Sequence, residues 1–426
     1  MLSGYLACVA VGWTLLSIPA ASAVPGVSPL DHLFTATSAV STTGLATVGT
    51  PATYSLFGEV VILLLIQIGG IGYMSLGSFI VLSRGRRMSQ ARQRMLSADF
   101  SMPRAFQLDE FIRGVVVFTL VAETLGALAL WALFADAGVE NALYQAVFHS
   151  ISAFCTAGFS LFDNSLESFT GNVGVNAVVS VLAILGAVGF IVAVDLWRVV
   201  AGRQRRLTTT SRIILRLTAV LIVAGTLGIY LIEPTEFAPT PALRLMASFF
   251  QAMTAMTTVG FNTVPIGGLV PGALFVTILL MVVGASPSGT GGGVKTTTVS
   301  AVFAVARSVL RGETEVTSGG RRIPTDRVFA AVASFAFYVA VLTGGLFVLT
   351  MTEAAPFETL LFEATSALGT VGLSMGVTGD LTALGKLAII LLMFAGRLGP
   401  LSFGSALFLR TPHAAPAEPE EADIVL

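Results

Sequence analysis

Charge is scarce in this chain: 11% of its 426 residues are Asp, Glu, Lys or Arg, where soluble domains carry about a quarter. Lys295 and Lys386 are the only lysines, so nearly all of the 23 basic residues are arginine. Two cysteines, Cys8 and Cys155, are too few for a disulfide framework, and neither stands near a His or carboxylate cluster at metal-ligand spacing. Neither a stapled nor a metal-held fold is expected, and no nucleic-acid partner. Nucleotide-binding motifs are missing as well. The string SGTGGGVKTT resembles a phosphate-binding loop, but Val294 stands where the glycine before Lys295 should be, and an apolar stretch rather than a strand precedes it. A membrane ATPase, the enzyme alternative, therefore lacks its motif, and the chain is read as no enzyme. What abounds is apolar surface: 54% of residues are hydrophobic and the mean hydropathy is +0.87. The solvent of this fold is a bilayer.

Stretches long enough to cross one, about 20 residues each, occur at 2–22, 58–82, 112–134, 174–197, 213–232, 270–306, 328–351 and 381–409. Arginine clusters at 84–113, 198–216 and 307–327, with Arg410 beyond the last stretch. By the positive-inside rule these linkers face the cytoplasm, and eight spans put both termini there, in a multi-pass protein of the plasma membrane. The intervening segments are acidic, as at Asp31, Glu167, Glu233, Glu353, Glu363 and Asp380, and face outward. Residues 21–23 imitate a signal-peptide cleavage site, but its use would remove the first span, so 1–22 is read as that span. Trp131 and Trp197 sit near span ends, where aromatic anchoring is expected.

Four segments align without a gap: FTATSAVSTTGLATV from Phe34, FHSISAFCTAGFSLF from Phe148, FQAMTAMTTVGFNTV from Phe250 and FEATSALGTVGLSMG from Phe362. Each lies between two spans and is too short and too rich in Ser, Thr and Gly to cross alone. The expected fold class is an all-α integral membrane protein of four helix/pore-loop/helix repeats around a central pore, with eight transmembrane spans. The repeats cover 1–110, 111–210, 211–325 and 326–411, followed by a disordered acidic tail over 412–426. Helix-start chemistry opens the loops: Ser28 and Asp31 around Pro29, Asn141, Thr240 before Pro241, and Pro356. Each should form a short helix ending just before Thr43, Ala157, Val259 or Val371, with its carboxyl end and partial negative charge pointing inward. Four such ends around one axis favour a cation.

Thr42-Thr43-Gly44, Thr156-Ala157-Gly158, Thr258-Val259-Gly260 and Thr370-Val371-Gly372 follow those helices. Irregular backbone at membrane depth is tolerated where protein or a water-filled cavity satisfies it. Glycine allows successive carbonyls to be aimed at an axis, and the threonines add hydroxyl oxygens. Such oxygens replace the hydration shell of a monovalent cation. Without a carboxylate ring, divalent ions are disfavoured. K+ is the expected transported ion, with Na+ next.

Four helix, pore-loop, helix units, each with one such glycine, resemble the Trk/Ktr/HKT superfamily of potassium transporters over about residues 1 to 410, and most resemble its eight-span bacterial KtrB-type membrane subunits. The two extra amino-terminal spans of Trk-type members have no counterpart here, nor does the amino-terminal cytoplasmic segment of some relatives. The sixth span is overlong, and GASPSGTGGGVKTTT from Gly284 should break it, as a mobile loop under the filter or as a plain kink. Arg397 in the eighth span is costly unless it faces water or a partner; it either holds this loop from the cavity, or snorkels or pairs with Asp195. The resemblance implies that a loop at this place gates the pore and that an arginine at the matching place in the last helix has a gating or energetic role. Gly291, Gly292 and Gly293, with Lys295 and Arg397, are therefore the expected gating residues, the role of Lys295 being open. It also implies a homodimer with one pore per protomer, in the lipid bilayer, and a cytoplasmic nucleotide-binding regulatory ring made by another chain. The arginine-rich linkers would contact that ring or simply set topology. The rival transport mechanism is a Na+- or H+-coupled K+ symporter, for which Glu123 and Asp195 are among the few intramembrane carboxylates.

Overall fold

The computed structural model describes residues 2–72, 108–234, 238–313, 315–318 and 321–407. The Arg84 to Arg104 stretch, Arg410, the acidic tail and residues 73–82 of the expected second span lie outside them. The described chain is mostly helical: α1 Leu2–Leu16, α2 Pro29–Ser41, α3 Leu56–Ile71, α4 Leu108–Asp136, α5 Ala142–Phe154, α6 Val173–Val188, α7 Phe190–Val200, α8 Thr209–Ile232, α9 Pro241–Thr257, α10 Pro271–Val282, α11 Thr296–Leu310, α12 Thr325–Thr352, α13 Phe357–Gly369 and α14 Ala383–Leu407. A two-residue antiparallel pairing of Thr317–Ser318 with Arg321–Arg322 is the one ladder among the described residues.

Among the described residues three helices are long and apolar enough to cross a membrane unaided, Ile112–Asp136, Thr209–Ile232 and Thr325–Thr352, and α6 with α7 makes a fourth if the bent pair is one span. Helices α1, α3, α10 and α11 are apolar but shorter. The first expected span, 2–22, is α-helical only to Leu16, because Pro19 cannot continue the ladder. The expected fourth span is not straight. It bends by 97° at Gly189, whose φ of 92° no regular helix accepts. Outward-facing Leu120, Leu125 and Leu128 of α4 are more than half exposed, an apolar exterior suited to lipid rather than water.

Packing is cyclic. Helices α1, α2 and α3 contact one another, as do α4, α5 and α6, then α8, α9 and α10, then α12, α13 and α14. The last helix of each set also packs on the short helix of the next: α3 on α5, α6 on α9, α10 on α13, and α14 back on α2. The aligned Phe34, Phe148, Phe250 and Phe362 are fully buried in these short helices. Where the circuit closes, Lys386 Nζ of α14 lies 2.8 Å from Asp31 Oδ1 of α2, with side-chain exposures of 15% and 12%. Lys386→Met leaves that carboxylate uncompensated in a largely dry place and is expected to cost roughly 3 kcal/mol of stability. A melting curve in detergent checks it; an unchanged midpoint would mean the pair contributes nothing.

Candidate functional site

Helix-start chemistry sets the direction of the short helices. Ser28 Oγ accepts from Asp31 N at 3.1 Å, and Thr240 Oγ1 accepts from Leu243 N at 3.2 Å, while Pro29 and Pro241 occupy first-turn positions whose N–H would be unpaired anyway. Asn141 caps without its side chain, in a left-handed conformation. At the other end the four helices stop in one way. Thr42, Thr156, Thr258 and Thr370 take φ of 54°, 51°, 59° and 50°. A β-branched residue in that region is strained, by about 1–3 kcal/mol, and here it recurs in every unit. Strain repeated fourfold points to a demanded backbone path.

The path brings the four glycines together. A Cβ placed on Gly44 would lie 3.1 Å from Gly158 Cα, one on Gly158 3.1 Å from Gly260 Cα, one on Gly260 3.2 Å from Gly372 Cα, and one on Gly372 3.1 Å from Gly44 Cα. Each would also collide with the carbonyl oxygen before the next glycine, of Ala157, Val259, Val371 and Thr43 in turn. The ring closes through backbone, and only hydrogen fits at these positions. Gly44 N donates to Ser38 Oγ at 3.0 Å and Gly372 N to Ser366 Oγ at 3.1 Å. In a planar trans peptide the carbonyl is antiparallel to the N–H, so these bonds to the helix turn Thr43 O and Val371 O away from it. Of the expected filter residues, the four glycines and the residue before each meet in this ring, and Thr42, Thr156, Thr258 and Thr370 directly precede them in the chain.

Beneath it lies the break between α10 and α11. Thr42 Oγ1 donates to Thr290 O at 3.2 Å, Thr156 Oγ1 shares a proton with Thr290 Oγ1 at 3.0 Å, and Gly292 N donates to Thr370 Oγ1 at 2.9 Å. A Cβ on Gly291 would run into Thr258 Oγ1. One tripeptide thus touches all four left-handed threonines. Lys295 Nζ donates to Gly291 O at 2.7 Å. Arg397 Nη1 donates to Thr42 Oγ1 at 2.9 Å and also to Thr290 O, and its Nη2 donates to Gly69 O. Asp195, the other partner considered for Arg397, accepts from Gln204 Nε2 at 3.0 Å and Thr208 N at 2.8 Å, a role in the turn before α8.

Sequence reasoning missed the cradle of this loop. The bend at Gly189 opens backbone groups that the loop uses: Ile191 N donates to Ser288 Oγ at 3.1 Å, Ser286 N to Ala187 O at 2.9 Å and Thr290 N to Gly186 O at 3.1 Å. The available signal was a pair of glycines three apart, Gly186 and Gly189, repeated as Gly69 and Gly72 and as Gly396 and Gly399. In each pair the first glycine abuts a carbonyl of a short helix, of Phe154, Val40 and Leu368, and the second has positive φ.

Chemically, the arrangement offers carbonyl and hydroxyl oxygens around one axis, closed from one side by a glycine-rich segment and a guanidinium. Comparison with known proteins agrees in kind. The family model described as TrkH, cation transport protein, matches residues 11–413. The Ktr system potassium uptake protein B of Bacillus subtilis (strain 168) is 36% identical over 94% of this chain and 90% of its own length. The protein of the same name from Vibrio alginolyticus is 35% identical over 96% and 90%, and the potassium/sodium uptake protein NtpJ of Enterococcus hirae is 32% identical over 97% and 93%. The crystal structure of the potassium transporter TrkH from Vibrio parahaemolyticus matches with a TM-score of 0.74 at 20% identity, covering 97% of this chain and 85% of that one.

Proposed function

The chain belongs to the TrkH family of cation transport proteins, and from that premise we propose that its ring of four glycine segments is the selectivity filter through which it takes K+ across the membrane. It is a transporter of bacterial type, not an enzyme, and Na+ is its second candidate ion, in keeping with the name of the enterococcal relative. The observation that carries the assignment is the closure of the ring, Gly44 to Gly158 to Gly260 to Gly372 and back. Carbonyls of Thr43, Ala157, Val259 and Val371, with the hydroxyls of Thr42, Thr156, Thr258 and Thr370, supply oxygens in place of water, and the helix carboxyl ends add negative potential. With one glycine per unit the filter holds few ion sites, so discrimination against Na+ is modest.

The loop through Gly291, Gly292 and Gly293 is the gate in this reading. It occupies the hydroxyls that a cation leaving the ring inward would meet, and Arg397 and Lys295 fasten it from either side. The short helices are re-entrant, α10 and α11 form one broken span, and the count is eight spans in four repeats over 1–110, 111–210, 211–325 and 326–411, with both termini cytoplasmic. The cyclic packing of four helix triplets supports that division. As the membrane component of a Ktr-like system, the chain works with a regulatory subunit; a homodimer and a nucleotide-binding cytoplasmic ring at the arginine-rich linkers complete the assembly.

K+ and Na+ flux into liposomes holding the purified chain tests this. Passive equilibration of K+ down its own gradient, with no Na+ or H+ requirement, is the expected result. Uphill K+ accumulation driven by an imposed Na+ or H+ gradient would make it a coupled symporter instead. Absence of any flux, with and without a cytoplasmic partner, would sink the assignment.

A further inference from the structure

The residue after each aligned phenylalanine is polar and buried: Thr35, His149, Gln251 and Glu363, each at most 1% exposed. Nothing in the K+ pathway touches them, and a buried polar group is costly unless bonded. Three of them reach across to the chain leaving the ring on the far side of the glycine. His149 Nε2 is 2.9 Å from Ser160 Oγ, Gln251 Nε2 donates to Thr263 Oγ1 at 3.1 Å, and Glu363 Oε1 accepts from Ser374 Oγ at 3.1 Å and also from Thr378 Oγ1. The Thr35 hydroxyl makes no such bond to the chain beyond its glycine.

Three positions further on, hence on the same helix face, stand Ser38, Ser152, Thr254 and Ser366. Ser366 Oγ holds Gly372 N at 3.1 Å and Ser152 Oγ donates to Phe159 O at 2.8 Å; Thr254 Oγ1 is unpartnered among the described residues. Units two and four are thus clamped to their helices at two points, unit four at and beyond its glycine and unit two at two residues just beyond it. Units one and three are clamped at one. Because the ring runs in chain order, the two doubly held segments face each other across it.

Glu363 is the most costly of these anchors: fully buried, with Oε2 lacking a partner among the described residues. Its two acceptor bonds tie α13 to a knot in which Ser374 Oγ also accepts from Gly376 N and Thr378 Oγ1, each at 2.9 Å. We propose that Glu363 is a positioning residue for cation discrimination, fixing Val371 O between the Ser366 clamp on one side of Gly372 and the Ser374–Thr378 knot on the other. Losing the outer clamp frees that carbonyl to follow a smaller ion inward, so the preference for K+ over Na+ falls.

The inference rests on the filter reading above, and the experiment separates the two. The K+/Na+ permeability ratio and the half-saturating K+ concentration are measured in liposomes for Glu363→Ala, Glu363→Gln, the Ser374→Ala/Thr378→Val pair and Gly372→Ser, each checked for a native elution profile. Glu363→Ala and the hydroxyl pair are expected to lower the ratio about tenfold, the effect of losing bonds to a buried carboxyl. Glu363→Gln keeps a side-chain oxygen for both hydroxyls and should stay within about twofold of the parent. Should Glu363→Ala fail to fold, the hydroxyl pair gives the same reading. A folded Glu363→Ala or hydroxyl pair with the parent's ratio overturns the proposal, and so does a Glu363→Gln as impaired as Glu363→Ala. If Gly372→Ser leaves the ratio unchanged, it is the filter assignment that fails.

Discussion

Gly260→Ser lowers the K+/Na+ permeability ratio by about tenfold or more while the protein stays folded, the first result expected from the ring. Gly260 has φ of 83°, and a Cβ there collides with Val371 O and comes within 3.2 Å of Gly372 Cα. Neither neighbour is the loose end of a side chain. Left-handed backbone costs a serine about 1–2 kcal/mol, and relieving the collision moves one carbonyl out of the set that replaces hydration water. K+ and Na+ differ in how far the oxygens must close on them, so a displaced carbonyl changes their relative free energies, and about 1.4 kcal/mol of change is a factor of ten. The other three segments keep their own helices and clamps, which is why folding survives. Flux measured with K+ and Na+ on the same vesicles decides it: an unaltered ratio in a folded variant would remove the third loop from the filter.

Much of this was legible in the sequence because it is local. A Ser28 or Thr240 followed by proline starts a helix wherever it stands, and the four phenylalanine-to-glycine segments announce themselves by alignment. The break in the sixth span was legible for the same reason, since five glycines and Pro287 cannot sustain a helix. What stayed hidden depends on partners far away along the chain. Left-handed threonines contradict every local preference, and they exist because the loop and the ring over-determine them. The bend at Gly189 reads as an ordinary small residue in an apolar run until Ser288 is brought against it. Glu363 looked like one more acid on an outward segment, and only the fold puts it behind the ring.

Deleting Gly291 to Gly293 should raise K+ flux by ten- to a hundredfold, because loop and cation compete for the same oxygens. Docked, the loop donates Gly292 N–H to Thr370 Oγ1 and hydrogen-bonds Thr290 Oγ1 to Thr156 Oγ1, so these two hydroxyls beneath the ring face protein groups instead of a cation. Each such bond contributes about 0.5–1.5 kcal/mol net, and the Lys295 bond to Gly291 O adds a charged one that is worth about 1.5–3 kcal/mol. Undocking therefore costs a few kcal/mol, enough to keep the path closed most of the time and small enough for a regulatory subunit to supply. Removing the three glycines deletes two of these contacts and shortens the segment, so Thr290 can no longer sit under Thr42 and Thr156 together. Arg397→Ala should act in the same direction, because its guanidinium fastens Thr290 O and, on the proposed pathway, also places a positive charge beside the cation. The two changes remove the same closed state, so their combination should raise flux by less than the product of the single effects. Flux that stays at the parent's level in a folded deletion variant would mean that the loop is a fixed kink in a permanently open path, and Arg397 only a brace within it.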